Sequence, residues 1–259
     1  MKITNKEQLQ EYVDDYGEDS DFVKVRVRGV FPSASAKQFI NREDVDAAMN
    51  RDVGQVNYSR TVAILGVDVA REGDDRSAIA TKIGRDCTMP LKVFRGLDGP
   101  QLGMQVLMYA NELKAKGIPR VYINLDYTGV GASPYDWLKD KVQHLNKVIS
   151  ASQSTNPERW ANKRAEMWDK MRDFIRDDGV IPKSEELAED LCIPEKLIDQ
   201  KGRLLLESKD SMKRRGMNSP DTADALALCF AIPIQEYIED DNWRHQRINR
   251  HKGIRDPYA

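Results

Sequence analysis

Residues 61–67 read TVAILGV, an unbroken apolar run of strand length that stops at Asp68 and is followed by the loop AREGDDR at 70–76. A run without polar alternation is the pattern of a strand buried on both faces. Working outward, strands are expected at Ser77–Ile83 and Leu91–Phe94, at spacings too short for parallel crossovers. An amphipathic helix is expected over Gln101–Lys116, stopped by Gly117. Arg120–Leu125 (RVYINL) is again an apolar strand running into an aspartate, Asp126. Beyond it the pattern predicts a helix over Ser133–Leu145, a strand over Lys147–Ala151, a helix over Glu158–Arg176 and a short strand over Arg203–Leu206. The last expected helix runs from Ser219 to about Tyr237, with Ser219 as N-cap and Pro220 at the first helical position. This order specifies an α/β domain, a mixed β-sheet flanked by helices.

The flanks differ from this middle. Phe22–Arg28 (FVKVRVR) alternates valine with Lys24, Arg26 and Arg28, the period of a strand with one apolar and one basic face. Residues 1–57, including a short helical pattern at Arg42–Met49, read as an N-terminal arm or connector, 58–238 as one compact domain and 239–259 as a flexible basic tail. Glu7–Asp21 carries seven acids and no base, and Arg244–Arg255 five bases and no acid. The whole chain of 259 residues nevertheless balances 40 bases against 42 acids, which excludes a globally basic nucleic-acid coat. Three cysteines, Cys87, Cys192 and Cys229, are odd in number and too widely spaced for a CxxC zinc site, as suits reduced thiols. No apolar run approaches a membrane span and the N-terminus lacks a signal-peptide core, so an intracellular protein is expected.

The candidate chemistry rests on aspartates. Asp68 and Asp126 each end an apolar strand, where α/β sheets present ligand groups. Asp221 and Asp224 share one face of the first turn of an otherwise apolar helix. Each has a structural alternative: Asp68 as the start of a turn, Asp126 as a cap before Gly129–Gly131, Asp221 as a partner of the helix dipole. Taken together, converging carboxylates repel unless a cation joins them, and hard oxygen donors without nearby His or Cys favour Mg2+ or Mn2+ over zinc.

Four strings, GVDVAREGDDRS (66–77), NLDYTGVGAS (124–133), NKRAEMW (162–168) and SPDTADALAL (219–228), occur in the order and spacing that resembles the C-terminal nuclease domain of the large terminase subunits of tailed phages or prophages. VRVRGVFP at 25–32 resembles the stretch leading into that domain. The resemblance implies an RNase H-like fold and a metal-dependent endonuclease that cuts concatemeric viral DNA during packaging, through a two-metal site in the bacterial host cytoplasm. It makes Asp68, Asp126 and Asp221 the catalytic metal ligands and Asp74 an accessory acid, with Asp75 as the alternative. Asp224 becomes a ligand helper or an anchor inside the core. Implied partners are double-stranded DNA, the small terminase subunit, the portal and an ATPase motor. No GxxxxGK[ST] phosphate loop occurs, so the chain corresponds at most to the nuclease half.

An acidic site does not attract a polyanion by itself. Lys209, Lys213, Arg214 and Arg215, just before the third aspartate, are the candidate DNA-backbone contacts, with Lys24, Arg26 and Arg28 as a second set; a solvated charged face is the alternative for both. Trp160, Met167 and Trp168 keep helical spacing and are expected in the core. Arg164, on the same stripe, is open between a carboxylate partner and a phosphate contact. An actin-like sugar kinase is discounted because Arg71, Glu72, Asp74, Asp75 and Arg76 stand where glycines and small hydroxyls belong. A junction resolvase or transposase, or a non-catalytic docking module, remain the other readings.

Overall fold

The computed structural model describes residues 37–70 and 76–235, with Val13 and Val27 as isolated positions. The expected strand at 22–28, the loop residues Asp74 and Asp75 and the basic tail lie outside the described residues.

Five strands form one sheet in the order β3-β2-β1-β4-β5: β1 (Ala63–Asp68), β2 (Ser77–Ile83), β3 (Lys92–Phe94), β4 (Val121–Asp126) and β5 (Leu145–Val148). β1–β2 and β2–β3 are antiparallel, whereas β1–β4 and β4–β5 are parallel. The sheet is therefore mixed for the reason the spacing suggests: tight turns join the first three strands and a helical crossover joins β1–β3 to β4.

The period-two geometry of β1 sends its residues to two separate cores. Ala63, Leu65 and Val67 face a layer formed by α2 (Gly99–Ala115) and α3 (Ala132–Leu138). Val62 and Ile64 face the opposite layer, built from α1 (Arg42–Asn50), α4 (Lys163–Asp177), α5 (Glu185–Cys192) and α7 (Asp221–Leu228). A small antiparallel pair, β6 (Lys196–Ile198) with β7 (Leu204–Leu206), and the short α6 (Lys209–Arg214) complete this side.

Several boundaries move. α2 begins at Gly99 because Asp98 and Gln101 form a capping box ahead of Pro100. α3 ends at Leu138, and β5 consequently starts at Leu145 rather than Lys147. α4 starts at Lys163, where the Asn162 side chain accepts from Ala165 N, so Trp160 precedes the helix; its indole donates to Asp169 at 2.9 Å. α7 stops at Leu228, whose carbonyl accepts from Asn124 Nδ2 at 2.8 Å. Two helices, α5 and α6, and the strand β6 have no counterpart in the sequence reading. Phe39, Ile40, Val45, Ala48 and Met49 join the same core as α4 and α5, so a division at residue 57 passes between residues that share one core.

α7 crosses β1 in nearly direct backbone contact. A Cβ at Gly66 would overlap Ala225 O and approach Cys229 N and Leu228 Cβ at 3.0 Å. Cys229 Sγ lies 3.5 Å from Ile64 O, so α7 runs antiparallel to β1 and its first turn lies at the strand's Asp68 end. Gly66→Ala is expected to destabilise the fold by about 3 kcal/mol, read from urea unfolding, because neither the strand nor the helix backbone can yield without displacing the other; a loss within about 0.5 kcal/mol would mean that the contact is soft.

Candidate metal centre

The parallel register pairs Leu65 with Ile123 and Val67 with Leu125, and one further step sets Asp68 beside Asp126. Both strands run the same way, so both aspartates emerge at the same edge of the sheet. α7 adds Asp221 and Asp224 from above. Four carboxylates from three separated stretches of the chain thus converge on one corner of the fold.

They are held differently. Asp126 Oδ1 accepts from Thr128 N at 2.9 Å, the local turn open as an alternative in the sequence, while Oδ2 accepts from Ser150 Oγ at 3.3 Å. Asp68 is 5% exposed, and burial, with Asp224, Asp126 and Asp221 nearby, pushes its pKa up to about 7 against the opposing pull of Lys209. Burial likewise raises Asp221. Burial alone would also raise Asp224, but Arg164, Lys209 and Trp168 outweigh it and hold this carboxyl below its ordinary value.

Asp224 is an anchored group. Arg164 Nε and Nη2 donate to its Oδ1 at 3.2 and 3.1 Å, and Trp168 Nε1 donates to the same oxygen at 2.8 Å. Arg164 and Trp168 stand four residues apart on one face of α4, which is why both reach it. Arg164 also donates to Glu207 O at 2.9 Å, which gives this arginine the role of carboxylate partner inside the fold.

The predicted basic run divides. Lys209 reaches toward the carboxylates, with 40% of its side chain exposed: its Nζ lies 3.0 Å from Asp224 Oδ2, 3.5 Å from Asp68 Oδ2 and 3.9 Å from Asp221 Oδ1. Burial would lower its pKa, yet Asp68 and Asp224 raise it, so the ammonium persists. Arg215 is engaged by Glu207, through Nε at 2.9 Å and Nη2 at 2.5 Å. Lys213 and Arg214 are exposed. The run is amphipathic around the single α6 turn, with Lys209 turned inward because Ser208 caps the helix and Met212 is buried beneath it.

Among the described residues no three His, Cys, Asp or Glu side chains form a ready metal cage. The donor set nevertheless fits a hard divalent cation: it is all oxygen, largely buried, and balanced by one ammonium instead of being left to repel. Sequence reasoning missed this inward lysine and Ser150. Nothing in the string at 209–215 separates an inward from an outward lysine, whereas Asp190, another buried acid near Asp221, stands on the apolar stripe of Leu187 and Leu191, a readable signal.

Asp68 binds its proton more tightly folded than unfolded, so the stability it contributes at acid pH is lost as pH rises through about 7. In EDTA, Asp68→Asn is therefore expected to melt near the wild type at about pH 4 and increasingly above it as the pH rises to 8.5, by several degrees, since about 1 kcal/mol moves the midpoint of such a chain by about 2–4 °C. Scanning calorimetry checks this; a variant that melts lower at pH 8.5 would make Asp68 a structural partner.

No protein-family model and no curated protein matches the chain. Solved structures do. The nuclease domain of the large terminase subunit gp2 of bacterial virus Sf6 superposes with TM-score 0.61 at 21% identity, over 76% of this chain and 99% of that one. A single-residue variant of the same domain with manganese gives TM-score 0.60 at 21% identity, over 75% and 99%. The large terminase nuclease of thermophilic phage G20c with bound magnesium gives TM-score 0.54 at 10% identity, over 76% and 98%. The mixed five-stranded sheet layered between helices is accordingly the RNase H-like fold of phage terminase nuclease domains.

Proposed function

We infer that the chain is a divalent-metal-dependent DNA endonuclease of genome packaging, with Asp68, Asp126 and Asp221 as the residues that would hold Mg2+ or Mn2+. The observation that carries this reading is the meeting of three buried or half-buried carboxylates, from two parallel strand ends and a helix start, two of which, Asp68 and Asp221, also lie within 4 Å of the Lys209 ammonium. The similar structures hold manganese in one case and magnesium in another. A pair of such ions supplies activation of water and stabilisation of the leaving oxygen at a phosphodiester.

The protein's own groups prepare that chemistry. Thr128 N and Ser150 Oγ orient Asp126, the Arg164–Trp168 pair fixes Asp224 and with it the first turn of α7, and Lys209 neutralises the cluster when no metal is present. Asp224 serves as the anchor of the motif, and Asp74 is assigned as accessory ligand on the sequence resemblance alone.

A cavity of about 470 Å³ opens beside Asp221 and is lined by Arg76, Arg95 and Lys213 as well as Glu186 and Glu189. Its basic edge, continued by exposed Arg214, offers a route for a DNA backbone toward the carboxylates. Such contacts read phosphate and impart little sequence preference. The small terminase subunit, the portal and an ATPase motor are the partners this role requires.

Supercoiled plasmid incubated with Mn2+ or Mg2+ is expected to be nicked or linearised without ATP, and EDTA to stop it. Asp68→Asn, Asp126→Asn and Asp221→Asn should each abolish cleavage while remaining folded. Plasmid left intact under every cation would favour a docking module, and preference for branched over linear DNA would favour a resolvase.

The division of the basic run makes a separate prediction. Replacing Lys213 and Arg214 together by alanine should weaken DNA binding for all sequences and reduce the slope of log affinity against log salt by about 2, whereas Arg215→Ala should act mainly on stability. Filter binding at several salt concentrations, with thermal melts in parallel, measures both; an unchanged slope in the double variant places that edge in ordinary solvated surface.

A further inference from the structure

α7 carries Asp221 and Asp224 yet has no cap of its own: Pro220 occupies the N-cap position with no side-chain hydrogen bond, and Ser219, expected there from the sequence, does not serve. One orphan backbone donor of this first turn, Thr222 N, is met instead from α5. Asp190, 5% exposed, accepts from Thr222 N at 3.0 Å and from Thr222 Oγ1 at 2.6 Å, and both bonds end on the same oxygen, Oδ2. A second link runs alongside: Arg76 pairs with Glu186 of α5 through Nη1, and its Nε lies 3.8 Å from Asp221 Oδ2.

Residues of an α-helix advance by about 100° each, which places Asp221 and Asp224 within about 60° of one another and Thr222 well round toward the opposite side. Gly66 sets the depth of α7 on β1, and Arg164 with Trp168 holds its Asp224 side. A bond from Asp190 to Thr222, on the side away from the carboxylates, gives the first turn a second, opposed point of attachment and so defines its rotation.

We propose that Asp190 is a positioning residue, a brace from α5 that fixes the rotation of α7 and so aims Asp221 toward Asp68 and Asp126. The brace acts through the geometry of one acceptor oxygen that is committed to Thr222. Its purpose rests on the nuclease reading. Two bonds on a single oxygen give a sharp test, because Asp190→Asn keeps an oxygen able to accept both while Asp190→Ala removes them.

Three readouts on the full chain separate positioning from mere stability: amide exchange at Thr222 without metal, Mn2+ affinity by calorimetry well below the melting temperature, and kcat and KM for plasmid nicking. For Asp190→Ala, Thr222 exchange should accelerate and Mn2+ affinity fall by about tenfold or more, with kcat reduced and KM for plasmid nearly unchanged, as for residues that orient metal ligands. Asp190→Asn should restore all three to near wild type. If Asp190→Ala does not fold, isosteric Thr222→Val, which removes only the hydroxyl bond, should still lower Mn2+ affinity by about threefold, the order of one net hydrogen bond; unchanged affinity there overturns the brace. Equal Mn2+ affinity in wild type and folded Asp190→Ala, or Asn as impaired as Ala, overturns it too. A wild-type chain that takes up no Mn2+ overturns instead the nuclease reading, and the proposal with it.

Discussion

Crowding several carboxylates into one buried corner is the constraint to which the rest of this structure answers. Two like charges 4 Å apart repel by about 4 kcal/mol at an effective dielectric near 20, a large part of what holds an ordinary domain together. The fold meets this cost in three distinct ways. Asp224 is neutralised within the core by Arg164 and Trp168, Asp68 holds its proton to unusually high pH, and Lys209 inserts one ammonium within reach of Asp68, Asp221 and Asp224.

The sheet supplies the common edge and the helices supply the aim. β1 and β4 are parallel neighbours, so their terminal aspartates emerge together. α7 approaches close enough to contribute only because residue 66 has no side chain, and Asn124, in the centre of β4, receives no water and ties off the carbonyl of Leu228 at the far end of the same helix. From Gly66 through Asn124, Arg164, Asp190 and Thr222, residues spread over about three-fifths of the 259-residue chain act on the placement of one eight-residue helix. Such dispersal explains why so short a motif as SPDTADALAL is apolar after its first turn: the helix body is packed on every side.

Much of this was legible in the linear chain, for identifiable reasons. β1 and β4 were readable because strands covered on both faces have uninterrupted apolar runs, and the aspartates that end them stood out against that background. The core positions of Met167 and Trp168 followed from helical spacing. α5 and α6 went unread because each is only a turn or two long and acquires its stability from burial of Leu187, Leu191 and Met212 against neighbours distant in sequence, a contribution local propensity does not contain.

The sequence by itself therefore determined the elements of the sheet, the identity of the acids at its edge and the resemblance that suggested their chemistry, because periodicity and strand termination are local properties. Only the tertiary structure decided the direction in which charges point. Lys209, Lys213, Arg214 and Arg215 are one basic run in the chain, yet folding turns Lys209 into the carboxylate cluster, locks Arg215 on Glu207 and leaves Lys213 and Arg214 facing outward. Ser219 looks like a helix cap in the chain, yet the first turn of α7 is capped by Asp190 from 32 residues upstream. In each case the deciding partner is brought close by packing rather than by sequence neighbourhood, and the energy of an ion pair or a cap depends on that distance.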